Sequence, residues 1–120
     1  MVRNLILVGV GGAIGAILRW AISLAIPTQS FPWATLIINI IGSFCIGIIF
    51  GLVLQQQLSD QGSLFLATGL CGGFTTFSAF SLETVGLLQS GKTAMAMGYV
   101  IASVLIGIGM SWLGIKLIQS

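Results

Sequence analysis

Residues 69–84 read GLCGGFTTFSAFSLET, and the fold turns on how this stretch is read. It lies in a long run without charge, yet its paired glycines and paired threonines make it a poor helix former. Its phenylalanines alternate with hydroxyls, and a glutamate follows. The rest of the composition sets the medium around it. Of 120 residues, 57% are hydrophobic and only 5% charged, and the mean hydropathy is +1.15. Soluble domains carry roughly 25% charged residues. Four basic and two acidic side chains cannot supply a polar surface for a soluble core. The composition is that of an integral membrane protein. A net charge of +2 is too small to argue for nucleic acid as a partner.

A bilayer core of about 30 Å needs about 20 apolar residues per helix. Residues 5–26, 33–54, 63–89 and 93–118 qualify. Pro27, Thr28, Gln29, Ser30 and Pro32 close the first span, the polar residues 55–62 separate the second from the third, and Ser90, Gly91 and Lys92 make a tight turn before the fourth. The first run is long enough to span, so it reads as a membrane helix and not as a cleavable signal. Trp20, Trp33 and Trp112 stand toward span ends, where interfacial anchors belong. Cys45 and Cys71 fall inside apolar spans and read as small hydrophobes rather than as a disulfide or metal site.

This layout puts both termini and the 55–62 loop on one side, here side A, and the 27–32 and 89–92 loops on side B. Arg3 and Lys116 lie near side A; Lys92 lies near side B, with Arg19 if it snorkels that way. Such a distribution gives almost no positive-inside bias. Either a partner fixes the orientation or the chain inserts both ways. In the second case opposed copies can pair about a two-fold axis in the membrane plane. A group at the midplane near that axis would then meet its own copy.

Small residues four apart recur: Gly11 and Gly15 in the first span, Gly47 and Gly51 in the second, and Ala94, Gly98 and Ala102 beside Ser103, Gly107 and Ser111 in the fourth. They read as faces that let helices approach closely, in a compact bundle. The first-span glycines lack the G-x-G-x-x-G spacing and a preceding strand, so they are not a nucleotide loop. Thr35, Asn39, Gly42 and Ser43 form a polar stripe on one face of the second span. Asn39 is either inter-helix glue or part of a wet path. Arg19, Asn39 and Glu83 all lie about 9–10 Å from the side B ends at 1.5 Å per residue, which favours the wet path. A charge deep in a membrane costs about 2.5–3.5 kcal/mol on insertion scales. Arg19 either pairs with Glu83 or gathers anions at a watery entrance, and the two readings are compatible.

Thr76 marks the middle of the third span, so the weak run 72–76 falls near the bilayer centre. Non-helical backbone survives there only if it is buried in protein or lines a cavity. Freed carbonyls can hold a small cation and freed N–H groups an anion; a Gly–Gly kink made for packing is the alternative. Phe77 and Phe80 share a helix face, and Ser78, Ser81 and Thr84 follow an adjacent one. Spaced phenylalanines ordinarily mean lipid or core contact. Interleaved with hydroxyl donors, their positive ring edges make an anion track without a fixed positive charge.

GGAIGAILRW (11–20), NIIGS (39–43) and the 69–84 run together resemble the small bacterial fluoride channels, the Fluc or CrcB family, over nearly the whole chain. The resemblance implies an all-α membrane protein of four transmembrane helices, the third broken near the midplane, that forms an antiparallel, dual-topology homodimer. It implies two fluoride pores per dimer and passive export of fluoride across a bacterial inner membrane, relieving toxicity. Phe77 and Phe80 would be the pore phenylalanines, Asn39 the pore asparagine and Arg19 the vestibule arginine. Ser78, Ser81, Thr84 and Glu83 match the polar route. A structural Na+ at the dimer centre would be held by the main-chain carbonyls of Gly72 and Thr75 from each subunit. Ala79 departs from members with threonine there and removes a possible donor. Fourth-span contributors, Tyr99 or Ser103, are not fixed by a motif.

Two rival readings belong to other classes. A proton-coupled exporter of organic cations needs a mid-membrane carboxylate in its first helix; the first span has none, although Glu83 could substitute. An assembly subunit without transport activity would use the small-residue faces to bind a membrane partner. An enzyme is disfavoured, since the chain has no histidine and no paired acids.

Overall fold

The computed structural model describes residues 1–27 and 30–120. Thr28 and Gln29, read above as part of the boundary after the first span, lie outside the described residues. Among the described residues, four helical runs are long and apolar enough to cross a membrane: Val2–Ala25, Trp33–Leu54, Asp60–Gln89 and Thr93–Gln119. The chain is an all-helical, multi-pass membrane protein. We label the first, second and last of these runs α1, α2 and α6. The third run is composite. It contains α3 (Asp60–Ser63), a π-helical stretch π1 (Leu64–Cys71), α4 (Gly72–Phe74) and α5 (Phe77–Gln89).

Local chemistry explains the ends. Ile26 is extended, at φ −103° and ψ 115°, as the residue before a proline prefers. The third run begins at Asp60, earlier than the hydropathy edge at residue 63. There the Ser59 hydroxyl accepts the Gly62 N–H at 3.0 Å, and an acidic residue suits a helix N-terminus. Between α5 and α6, Gly91 adopts φ +78°, which a residue with a Cβ rarely takes. The turn closes with the Lys92 N–H on Leu87 O at 2.9 Å.

Two glycine seams hold the bundle. In the first, α1 lies against π1 and α4. A Cβ on Gly11 would stand 2.6 Å from Phe65 O, one on Gly15 would run into Leu70 O and the Phe74 N–H, and one on Gly73 would meet the Gly12 carbonyl. The two backbones touch directly, as small-residue faces allow. This contact accounts for a difference from expectation: Gly72 and Gly73 remain helical despite their low propensity, because Gly73 is needed at the seam. In the second seam, α2 meets α6. Gly47 faces the Ser111 backbone and Gly51 faces Ile118, while the Ser111 hydroxyl donates to Ser43 O at 3.0 Å. Gly98 has nothing among the described residues within 4 Å of a hypothetical Cβ, so they make no use of that part of the fourth-span stripe. Toward side B, Leu36, Leu87, Ala96 and Tyr99 form a buried cluster, with Phe31, Ile40, Phe80 and Met95 packed against it.

Candidate functional site

Helical geometry lapses at two residues of the third run. Thr75 has φ −81° and ψ 157°, Thr76 has φ −149° and ψ 113°, and α5 starts afresh at Phe77. Side chains take over the backbone bonds lost there. The Thr76 N–H donates to Asn39 Oδ1 at 3.0 Å, and Asn39 Nδ2 donates to Thr76 O at 3.1 Å. One amide side chain thus satisfies both polar groups of one extended residue. The Thr76 hydroxyl caps α5 by accepting the Ala79 N–H at 3.1 Å, and the Thr75 hydroxyl donates back to Cys71 O at 2.9 Å.

These bonds leave particular carbonyls behind. In a continuous helix the Thr76 N–H would reach Gly72 O and the Ala79 N–H would reach Thr75 O. Both are diverted, to Asn39 and to the Thr76 hydroxyl, so the Gly72 and Thr75 carbonyls lose their helical donors. The next carbonyl, Gly73 O, is taken by Arg19, whose Nε donates to it at 3.2 Å. Among the described residues no three His, Cys, Asp or Glu side chains come together; oxygen donors for a hard cation would come from these carbonyls.

Beside the extended pair lies a cavity of about 440 Å³. Asn39, Gly42, Ser43 and Ile46 of α2 form one wall; Cys71, Gly72, Thr75, Thr76, Phe77 and Phe80 form another; Ser103 and Val104 of α6 complete it. No charged side chain is among its described lining. The polar stripe of α2 therefore faces the interrupted segment along its length. Thr35 at the stripe's start is also engaged: its hydroxyl donates to Glu83 Oε2 at 2.9 Å, and the Tyr99 hydroxyl donates to Glu83 Oε1 at 2.9 Å. Tyr99 is 0% exposed, and a buried phenol needs such a partner. Aromatic rings link the two regions. Phe77 and Phe80 lie 5.6 Å apart between centroids, Phe80 and Tyr99 5.0 Å, and Tyr99 and Phe31 5.4 Å, edge-on.

Asn39, Phe77 and Phe80 thus share the cavity with Gly72 and Thr75. The other candidates lie outside it. Ser78 is within 3.3 Å of the Thr76 hydroxyl. The Thr84 hydroxyl donates to Phe80 O at 2.7 Å, and Thr84 lines a separate apolar groove with Leu88 and Met97. Ser81, on the same helix, is half-buried. Glu83 opens onto a further cavity with Ser30, Ser90 and Lys92. Arg19 does not pair with Glu83; the guanidinium reaches Gly73 O while both Glu83 oxygens accept hydroxyls. The shared depth counted from the span ends does not hold: Arg19 meets the third run at Gly73, ten residues before Glu83, while Glu83 meets α2 at Thr35, one turn from Asn39. Thr76 is the residue that sequence reasoning passed over as a site, although the need to satisfy an extended backbone pair beside an asparagine pointed to it.

The family model described as CrcB-like protein, Camphor Resistance (CrcB), matches residues 6–115. The chain is 43% identical over 115 residues to the fluoride-specific ion channel FluC of Thermus thermophilus, covering 93% of this chain and 92% of that one. It is 44% identical over 120 residues to the protein of the same name from Mesorhizobium japonicum, covering 98% and 97%. The Agrobacterium fabrum protein of that name is 43% identical over 120 residues, covering 95% and 94%. With a family model spanning most of its length and relatives matched nearly end to end, the chain belongs to the CrcB family.

Proposed function

We propose that this chain is a fluoride-selective channel that passes the anion down its gradient and so relieves fluoride toxicity. The observation that carries the reading is the uncharged cavity where Asn39, Thr76, Phe77, Phe80 and Ser103 meet beside a two-residue lapse in the third membrane helix. The name shared by its relatives supports it. Fluoride holds its water tightly, so passage requires replacing that water in small steps by donors that do not trap the ion. The second Asn39 N–H, the hydroxyls and the positive edges of the phenylalanine rings are donors of that kind. Walls without a cationic side chain let the ion leave as readily as it enters.

In this reading the functional unit is an antiparallel homodimer in a bacterial inner membrane, with two pores. The helix lapse stands near the midplane. Ser78, Ser81, Thr84 and Glu83 continue the polar route, and Arg19 stands at the vestibule. The small-residue stripe around Gly98, unused among the described residues, is available to a second copy. The carbonyls of Gly72 and Thr75 fit a structural Na+: both have lost their helical donors, they are the oxygen ligands that a hard cation takes, and a second copy would double the set to four. Bound there, the ion would be the partner that those oxygens otherwise lack. Efflux of fluoride against chloride from liposomes holding the purified protein tests the proposal. Equal fluxes of the two halides would overturn it.

A further inference from the structure

The second cavity at Glu83 is not explained by the pore alone. Its volume is about 310 Å³, and its lining includes Ser30, Phe31, Glu83, Ser90 and Lys92. Glu83 ties it to the inner cavity, since the Tyr99 hydroxyl that donates to Glu83 belongs to a ring packed at a tilt against Phe80, and Phe80 lines the inner cavity. An anion following this line of groups reaches side B past a carboxyl group.

We infer that Lys92 is the anion-gathering residue of this mouth, offsetting Glu83 and setting how often fluoride enters or leaves there. The inference rests on the channel reading above and adds a residue to it. Lys92 lines the same cavity as Glu83, and the fold holds its backbone in place. The Lys92 N–H is bonded to Leu87 O, one helical turn beyond Glu83, and Gly91 makes the reversal with its positive φ. Lys92 is also the N-cap residue of α6, so its charge adds to the positive end of a long helix. No hydrogen bond joins Lys92 to Glu83, which leaves the cation as a field source across the cavity rather than one half of a closed ion pair. A single charge at the rim of a mouth raises the local concentration of the opposite ion without placing a tight binding site inside the pore.

The signature of such a field is its sensitivity to salt. The screening length is about 30 Å at ~10 mM ionic strength and about 8 Å at ~150 mM. The test compares initial fluoride efflux from phosphatidylcholine vesicles for the unaltered protein, Lys92→Gln, Lys92→Glu and Lys92→Arg at both ionic strengths, the higher reached with an impermeant salt. Lys92→Glu is expected to lower efflux about three- to tenfold at low salt and less than about twofold at high salt. Lys92→Gln should fall between, and Lys92→Arg should match the unaltered protein. Efflux by Lys92→Glu that equals the unaltered protein's at low salt overturns the inference. So does a loss of the same size at both ionic strengths, which marks damage to the turn. If vesicles with the unaltered protein are no leakier to fluoride than empty ones, the channel reading fails and the role of Lys92 with it.

Discussion

Asn39 and Thr76 exchange two hydrogen bonds, side-chain amide to main chain, at 3.0 and 3.1 Å. A membrane interior offers no water to satisfy an extended residue, so this pair is what allows the third run to leave helical geometry at all. Asn39 is therefore both the glue and a wall of the cavity, two roles that the sequence presented as alternatives.

Asn39→Asp keeps an acceptor for the Thr76 N–H and loses the donor to Thr76 O. Leaving a partly buried carbonyl unpaired costs about 1–3 kcal/mol. Thermal unfolding in detergent should show that loss, and liposome efflux at neutral pH should be suppressed by the added negative charge. Full stability together with full efflux would separate Asn39 from both roles.

The Glu83 carboxyl is held from two sides, by Thr35 and by Tyr99. Tyr99→Phe preserves the tilted ring contact with Phe80 and removes one donor; Thr35→Val removes the other. Each should destabilise the fold by about 1–3 kcal/mol. Because the two donors serve one acceptor group, their combination should depart from additivity by about 0.5 kcal/mol or more. A double-mutant cycle of unfolding free energies checks this.

At the α1 seam, Gly15→Ala should cost about 1–3 kcal/mol or more, since the new methyl meets the backbone of Leu70 and Phe74. Gly9→Ala, with open space at its Cβ position, should leave the fold intact and gain slightly from helix propensity. Expression and melting temperature of the two variants should diverge accordingly.

Phe80 sits between the Phe77 and Tyr99 rings and lines the cavity. Phe80→Ile keeps apolar bulk while removing the ring edge. Efflux should fall at least about tenfold, as for a lost step worth about 1.4 kcal/mol, while size-exclusion behaviour stays unchanged. Unchanged efflux would remove the ring from the pathway.

The helices were legible because long uncharged runs have few other uses, and the α1 seam because Gly11 and Gly15 recur at helical spacing. The stripe from Thr35 to Ser43 was likewise readable as one face. Partners were not. Counting from the span ends gave Arg19 and Glu83 one depth, yet Arg19 bonds at Gly73 and Glu83 at Thr35 and Tyr99, because how far one helix is shifted along another depends on packing that spacing does not encode. Tyr99 could be named but not given a role, since its bond to Glu83 joins residues of two helices across a turn. The weak run at 72–76 was seen, but the lapse itself falls on Thr75 and Thr76. The seam holds the glycines helical, and the threonine hydroxyls supply caps that glycines cannot.

The central claim is halide discrimination by this chain alone. Fluoride and chloride efflux, read with ion-selective electrodes from vesicles holding only the purified protein, measures it directly. Fluoride should leave at least about tenfold faster than chloride, equivalent to about 1.4 kcal/mol of discrimination. Equal rates for the two halides, or rates no higher than those of empty vesicles, would contradict the account.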